Sequence, residues 1–150
     1  MYRRIKIKFP IKLSALLSVW LSTHLLYAAT LDVTISGFKN NAGSTLVYLH
    51  NQASSFPFPT QSQKALSFRQ VKISNQSSSV TFDKLEPGTY AVSIIHDENK
   101  DGLLQTNFIG IPEEGVGVSK NVHGHFGPPS YQDASFQLNE HKHLNIKVHY

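Results

Sequence analysis

Asp97, Asn99 and Asp101 stand at alternate positions in the run His96-Asp97-Glu98-Asn99-Lys100-Asp101-Gly102-Leu103-Leu104-Gln105, and Gly102 follows the last of them directly. Side-chain oxygens at the first, third and fifth positions, with glycine at the sixth to permit a sharp reversal, are how a calcium loop surrounds a hard cation with oxygen. On that template Leu103 offers its backbone carbonyl, Leu104 points inward, and Gln105 reaches the ion directly or through water. The expected metal ligands are therefore Asp97, Asn99, Asp101, Leu103 and Gln105. Phe108 stands where the template has a bidentate glutamate, so further oxygens must come from water or from Glu113, Glu114 or Asp133. Two formal charges in the core motif place the expected calcium affinity in the weak extracellular range, about 10⁻⁴ to 10⁻³ M. The competing reading is an Asx-rich turn whose side chains bond their own backbone.

Histidine offers a second chemistry. His123-Gly124-His125 and His141-Lys142-His143 each place two imidazoles at strand-like alternate positions, where a pair can share one face and grip zinc or copper. In the last apolar run the histidines fall opposite Leu144, Ile146 and Val148, which favours a solvated surface. His96 beside Asp97, with Ser119 or Ser130 as nucleophile, is the only hydrolase constellation on offer. Adjacent strand residues point to opposite faces and there is no Gly-x-Ser-x-Gly elbow, so the chain is read as a non-enzyme. With no cysteine, disulfides, thiolate metal sites and cysteine nucleophiles are excluded.

The amino-terminal 29 residues have the three zones of a secretory signal. Arg3, Arg4, Lys6, Lys8 and Lys12 form a basic start, Leu13 to Tyr27 is apolar, and Ala28-Ala29 suits a peptidase cutting after either alanine. The apolar run is shorter than a bilayer span and holds Ser and His, which weighs against a retained anchor. The formal charge of the whole chain is +4, but five of its fourteen basic residues and none of its ten acidic ones lie in this leader. The remainder carries nine basic and ten acidic residues, a net −1, which removes the electrostatic case for nucleic acid or anionic membrane as a partner. Residues 30–150 suffice for one domain with a hydrophobic core.

Positioning the loop falls to β-strands. Leu31, Val33 and Ile35 alternate with Asp32, Thr34 and Ser36; Thr45 to His50 follows a turn-rich stretch and predicts a hairpin with them. Leu66–Ile73, Ser79–Leu85, Thr89–Ile95, Ala134–Leu138 and Lys142–Tyr150 read as further strands, seven in all. Leu31, Val33, Ile35, Phe82, Tyr90, Val92, Ile94, Leu144, Ile146 and Val148 are expected in the core. The about 37 residues from Asp97 to Asp133 predict one long ordered excursion, with a short strand near Gly115–Ser119 and with Phe108, Ile109, Ile111, Pro112, Val116, Val118 and Phe126 buried. Phe56-Pro57-Phe58-Pro59 is expected to fold back over a core edge. Phe56, Phe58, Phe126 and Tyr131 form the alternative site, an aromatic platform for a small ligand or carbohydrate at one end of the domain.

The turn Leu85-Glu86-Pro87-Gly88-Thr89-Tyr90 resembles the Leu-x-Pro-Gly-x-Tyr turn of transthyretin-like and related immunoglobulin-like sandwiches. The motif His96-Asp97-Glu98-Asn99…Asp101-Gly102…Thr106-Asn107-Phe108-Ile109-Gly110-Ile111-Pro112, followed by Phe126-Gly127-Pro128-Pro129-Ser130, resembles domain of unknown function 2141, a family of exported bacterial proteins. That resemblance implies a secreted β-sandwich and brings no activity with it. The expected protein is thus all-β: a single antiparallel β-sandwich, immunoglobulin-like or transthyretin-like, exported to the periplasm or beyond, acting as a binding or structural module.

Overall fold

A computed structural model of the chain describes residues 28–58, 64–124 and 127–150. The expected signal segment, apart from Ala28 and Ala29, lies outside the described residues, as do His125 and Phe126.

Among the described residues, eight strands form two sheets. The first sheet has the order β4-β1-β8, with β1 at Ala29–Ser36, β4 at Ser77–Leu85 and β8 at His141–Lys147. The second runs β3-β2-β5-β6, with β2 at Ser44–His50, β3 at Ser67–Val71, β5 at Gly88–Asp97 and β6 at Gly115–Val118. A short β7, Phe136–Leu138, pairs with the start of β5, while β6 pairs with its end. Among the described residues, helix is confined to single turns, including α1 at Tyr131–Ala134. The arrangement is β-sandwich-like, as the alternation of apolar residues predicts. One pairing departs from the antiparallel rule: β8 lies parallel to β1, with Val33 opposite Leu144 and Ile35 opposite Ile146.

The hairpin expected between β1 and β2 does not form; the two strands lie in different sheets. Gly37, at φ +85°, turns the chain out of β1, and Phe38 is buried in the main core on the way to β2. The burial patterns record the difference in setting, since β1 alternates and β2 is buried at all seven positions. A strand apolar on both faces needs cover on both. Val47 and Leu49 join the core between the sheets, and Leu46 and Tyr48 join Ile95 in a second cluster packed against Phe58, Phe68 and Leu104.

Nine of the ten expected core residues are buried in the main cluster, and Leu144 packs half-buried against it. The excursion is less buried than its composition suggests. Phe108 is 98% exposed, Ile109 64% and Ile111 54%, whereas Val118 is buried. These exposed side chains sit on a small hairpin closed by the Thr106–Pro112 bridge, too short to fold back onto the sheet. Asn107 staples it, its Oδ1 accepting from the amides of Ile109 and Ile111 at 3.1 and 3.0 Å.

β6 is where the two sheets meet. Val116 exchanges backbone hydrogen bonds with His149. A Cβ on Gly115 would lie 2.6 Å from the Tyr150 ring, and one on Gly117 would lie 2.8 Å from the Lys147 carbonyl. The Gly-Val-Gly-Val sequence lets the carboxy-terminal segment cross this strand at backbone distance.

Candidate functional site

The excursion leaves β5 at Asp97, a fully buried carboxylate. Its Oδ1 accepts from the amide of Asp101 at 3.2 Å and its Oδ2 from that of Gly102 at 3.0 Å. The Asn99 amide donates to Asp101 Oδ2, and Asn99 Oδ1 accepts from the backbone of Asp101. Leu103 takes part through its N–H, which donates to Asp101 Oδ1 at 2.8 Å, and the Gln105 amide reaches Asp101 Oδ2 at 3.1 Å. Together the Asn99 amide, the Leu103 N–H and the Gln105 amide hold the Asp101 carboxyl below its usual range. All five predicted residues therefore share one turn, which the loop's own amides stabilise. Left-handed backbone at Lys100 and Gly102 completes the reversal, and Leu104 packs half-buried against the second core cluster.

Of the three additional acids considered, the structure brings Glu114 to the loop. Its two oxygens accept from the amides of Glu98 (3.3 Å) and Gln105 (3.1 Å), so one carboxylate clasps both ends of the turn. Burial raises its pKa, the two amides oppose that shift, and the charges of Asp97 and Asp101 add to it. Glu113 is exposed, and Asp133 belongs to α1, where it exchanges hydrogen bonds with Ser130. Among the described residues, no three or more His, Cys, Asp or Glu side chains are grouped so as to hold a metal ion.

The excursion, β6, residues Asn121–Gly124 and Gly127–Pro129, and the carboxy-terminal residues line a cleft of about 590 Å³. Its apolar wall includes Phe58, Leu104, Ile111, Val116 and Val122, and its polar groups include Glu114, His123 and His149. Of the aromatic platform, Phe56, Phe58 and Tyr131 pack half-buried against the buried Ala91, Val118 and Ala134. Phe56 meets Tyr131 edge to face at 5.9 Å. These rings build the scaffold beside the cleft, and Phe58 alone of the three lines it.

The histidines separate by environment. His141 Nε2 lies 2.7 Å from Asp32 Oδ2, and His143 lies near Thr34 and Asn145, both on the exposed face of the first sheet as the alternation predicts. His123 packs against His149, with ring centroids 4.4 Å apart and planes at 76°. The sequence hides that pairing, since the two rings are brought together by the Val116–His149 bridge and not by local spacing. His50 is fully buried between Ser55 and Ser93, with 2.9 Å from each ring nitrogen to a serine hydroxyl. Burial pushes its pKa down to about 4. A histidine bonded to serine invites a catalytic reading, but Ser93 is fully buried and donates to the Pro57 carbonyl, so this group ties the Phe56–Phe58 loop to the sheet.

Residues 33–147 match the family model described as an uncharacterized protein conserved in bacteria (DUF2141). The chain belongs to the DUF2141 family. The match covers every described strand except the first residues of β1, and it includes the excursion and the cleft wall apart from His149 and Tyr150. Comparison with curated proteins and with solved structures gives no match.

Proposed function

We propose that this DUF2141 domain is an exported binding module that takes a small, largely apolar molecule in the cleft between the excursion and the carboxy-terminal segment. The observation that carries the reading is the cleft itself. Its volume falls within the roughly 300–1,000 Å³ usual for small-molecule sites, and apolar walls with a few polar groups are the usual composition of such sites. The test is saturation-transfer NMR with indole, phenol and cyclohexanol on the wild type and on Ile111→Glu. Ile111 is more than half exposed, so the variant keeps its fold while adding a charge to the wall. Binding by the wild type and loss in the variant support the reading; no binding, or binding indifferent to the variant, overturns it.

Calcium in the Asp97–Gln105 turn is the second reading, favoured by Glu114. A buried carboxylate beside Asp97 and Asp101 gains from a cation that relieves their repulsion. Calcium at a hundredfold excess over its dissociation constant then stabilises the fold by about 2.7 kcal/mol. Asp97→Ala removes that gain and also lowers stability in chelator, because two loop amides lose their acceptor. A melting temperature indifferent to millimolar calcium removes this reading and leaves the cleft untouched.

Export follows from the basic start, the short apolar run and the two alanines. Ala29 is buried and opens β1, so cleavage after Ala28 leaves the strand whole, whereas cleavage after Ala29 removes its first residue. Mass spectrometry of the exported protein is expected to find Ala29 at the amino terminus. A product retaining Met1 contradicts the reading.

A further inference from the structure

We propose that His123 and His149 form a two-imidazole site for a divalent transition metal, copper(II) foremost, on the wall of the cleft; the proposal rests on the reading of that cleft as a binding site. Two observations carry it, and the first is the spacing of the rings. Nitrogens bound to one ion at about 2.0–2.1 Å, each about 1.2 Å from its ring centroid, place the centroids roughly 4.5 Å apart at a right angle and about 5.2 Å apart in a tetrahedron. The observed 4.4 Å fits the right angle. Tetragonal nitrogen and oxygen sites suit copper(II) or nickel(II), and copper(II) binds more tightly at a given site.

The second observation is His149 Nε2, a buried nitrogen with no hydrogen-bond partner among the described residues. Buried polar atoms are almost always satisfied, and a bound ion is one of the few accounts of an exception.

Two protein ligands leave the remaining positions to water or to an oxygen of the molecule in the cleft, which gives an otherwise apolar pocket a polar anchor. His141 and His143 compete poorly, because Asp32, Thr34 and Asn145 already engage them.

The experiment titrates the purified full chain with copper(II), read by calorimetry and by electron paramagnetic resonance. One copper per chain with nitrogen couplings from two imidazoles is expected. His123→Gln and His149→Gln should each weaken binding at least tenfold, while the His141→Gln/His143→Gln double variant should leave it unchanged. His123 is exposed, so its variant tests the site without threatening the fold. No stoichiometric binding, binding unmoved by His123→Gln, or binding lost in the double variant overturns the proposal. Saturation transfer from indole, measured without metal on the same samples, separates the two claims. Indole bound in the cleft without copper binding removes the metal site alone, and failure of both removes the binding-module reading as well.

Discussion

The Tyr150 hydroxyl donates to His96 Nδ1 across 2.6 Å, joining the carboxy-terminal segment to the strand that launches the excursion. The Ala42 carbonyl lies 2.9 Å from His96 Nε2, so that nitrogen carries the proton and Nδ1 is left to accept. The same hydroxyl oxygen accepts from the Lys39 amide at 3.0 Å. Tyr150→Phe removes both bonds and strands a buried imidazole nitrogen, which costs about 1–3 kcal/mol. Urea unfolding measures the loss; a change under about 0.5 kcal/mol contradicts the assignment.

His50 makes the fold sensitive to acid. Its pKa is about 4 in the native state and about 6.5 when unfolded, so the unfolded chain binds more protons between those values. This contribution is fully present above pH 6.5 and is lost as pH falls towards 4, by up to about 3 kcal/mol. His50→Gln should flatten that part of the stability profile. Denaturant titrations at pH 7.5, 5.5 and 4.5 check both statements, and a wild type equally stable at all three contradicts them.

Two glycines beside the loop should respond differently to alanine. Both have left-handed backbone, Gly43 at φ +71° and Gly102 at φ +77°. A Cβ on Gly102 meets nothing within 4 Å, so Gly102→Ala costs only the backbone strain, about 1–2 kcal/mol. A Cβ on Gly43 would lie 1.9 Å from the Asp97 carbonyl oxygen, so Gly43→Ala must also displace the turn and should cost more. Equal losses in thermal unfolding would show that this close approach does not constrain the fold.

Much of the sandwich was legible in the sequence because period-two alternation is local. The positions of Leu31, Val33, Ile35, Val92 and Ile94 follow from it, and the closing of the Asp97–Gln105 turn follows from the Asp97, Asn99 and Asp101 spacing before Gly102. The pairing of β1 was not legible, because nothing local distinguishes a hairpin from a crossing once glycines and asparagines separate two strands. Nor was the cleft, whose walls come from Phe58, Leu104, Val116 and His149, residues far apart in the chain. The Gly115–Gly117 spacing was the available clue, since two glycines on one face of a strand mark a close backbone approach.

Phe108 illustrates the opposite error. Its type predicts burial, yet it stands clear of the core on a hairpin held by Asn107. Phe108→Ser should therefore change stability by no more than about 0.5 kcal/mol in chemical denaturation. A loss of several kcal/mol would place that ring in the core.

Amide chemical-shift mapping with indole tests the binding-module account most directly. The account predicts saturable shifts confined to the cleft wall, at Leu104, Ile111, Val116 and Val122, and their loss in Ile111→Glu. Absence of any saturable shift, or shifts centred on the exposed face of β4-β1-β8, would contradict it.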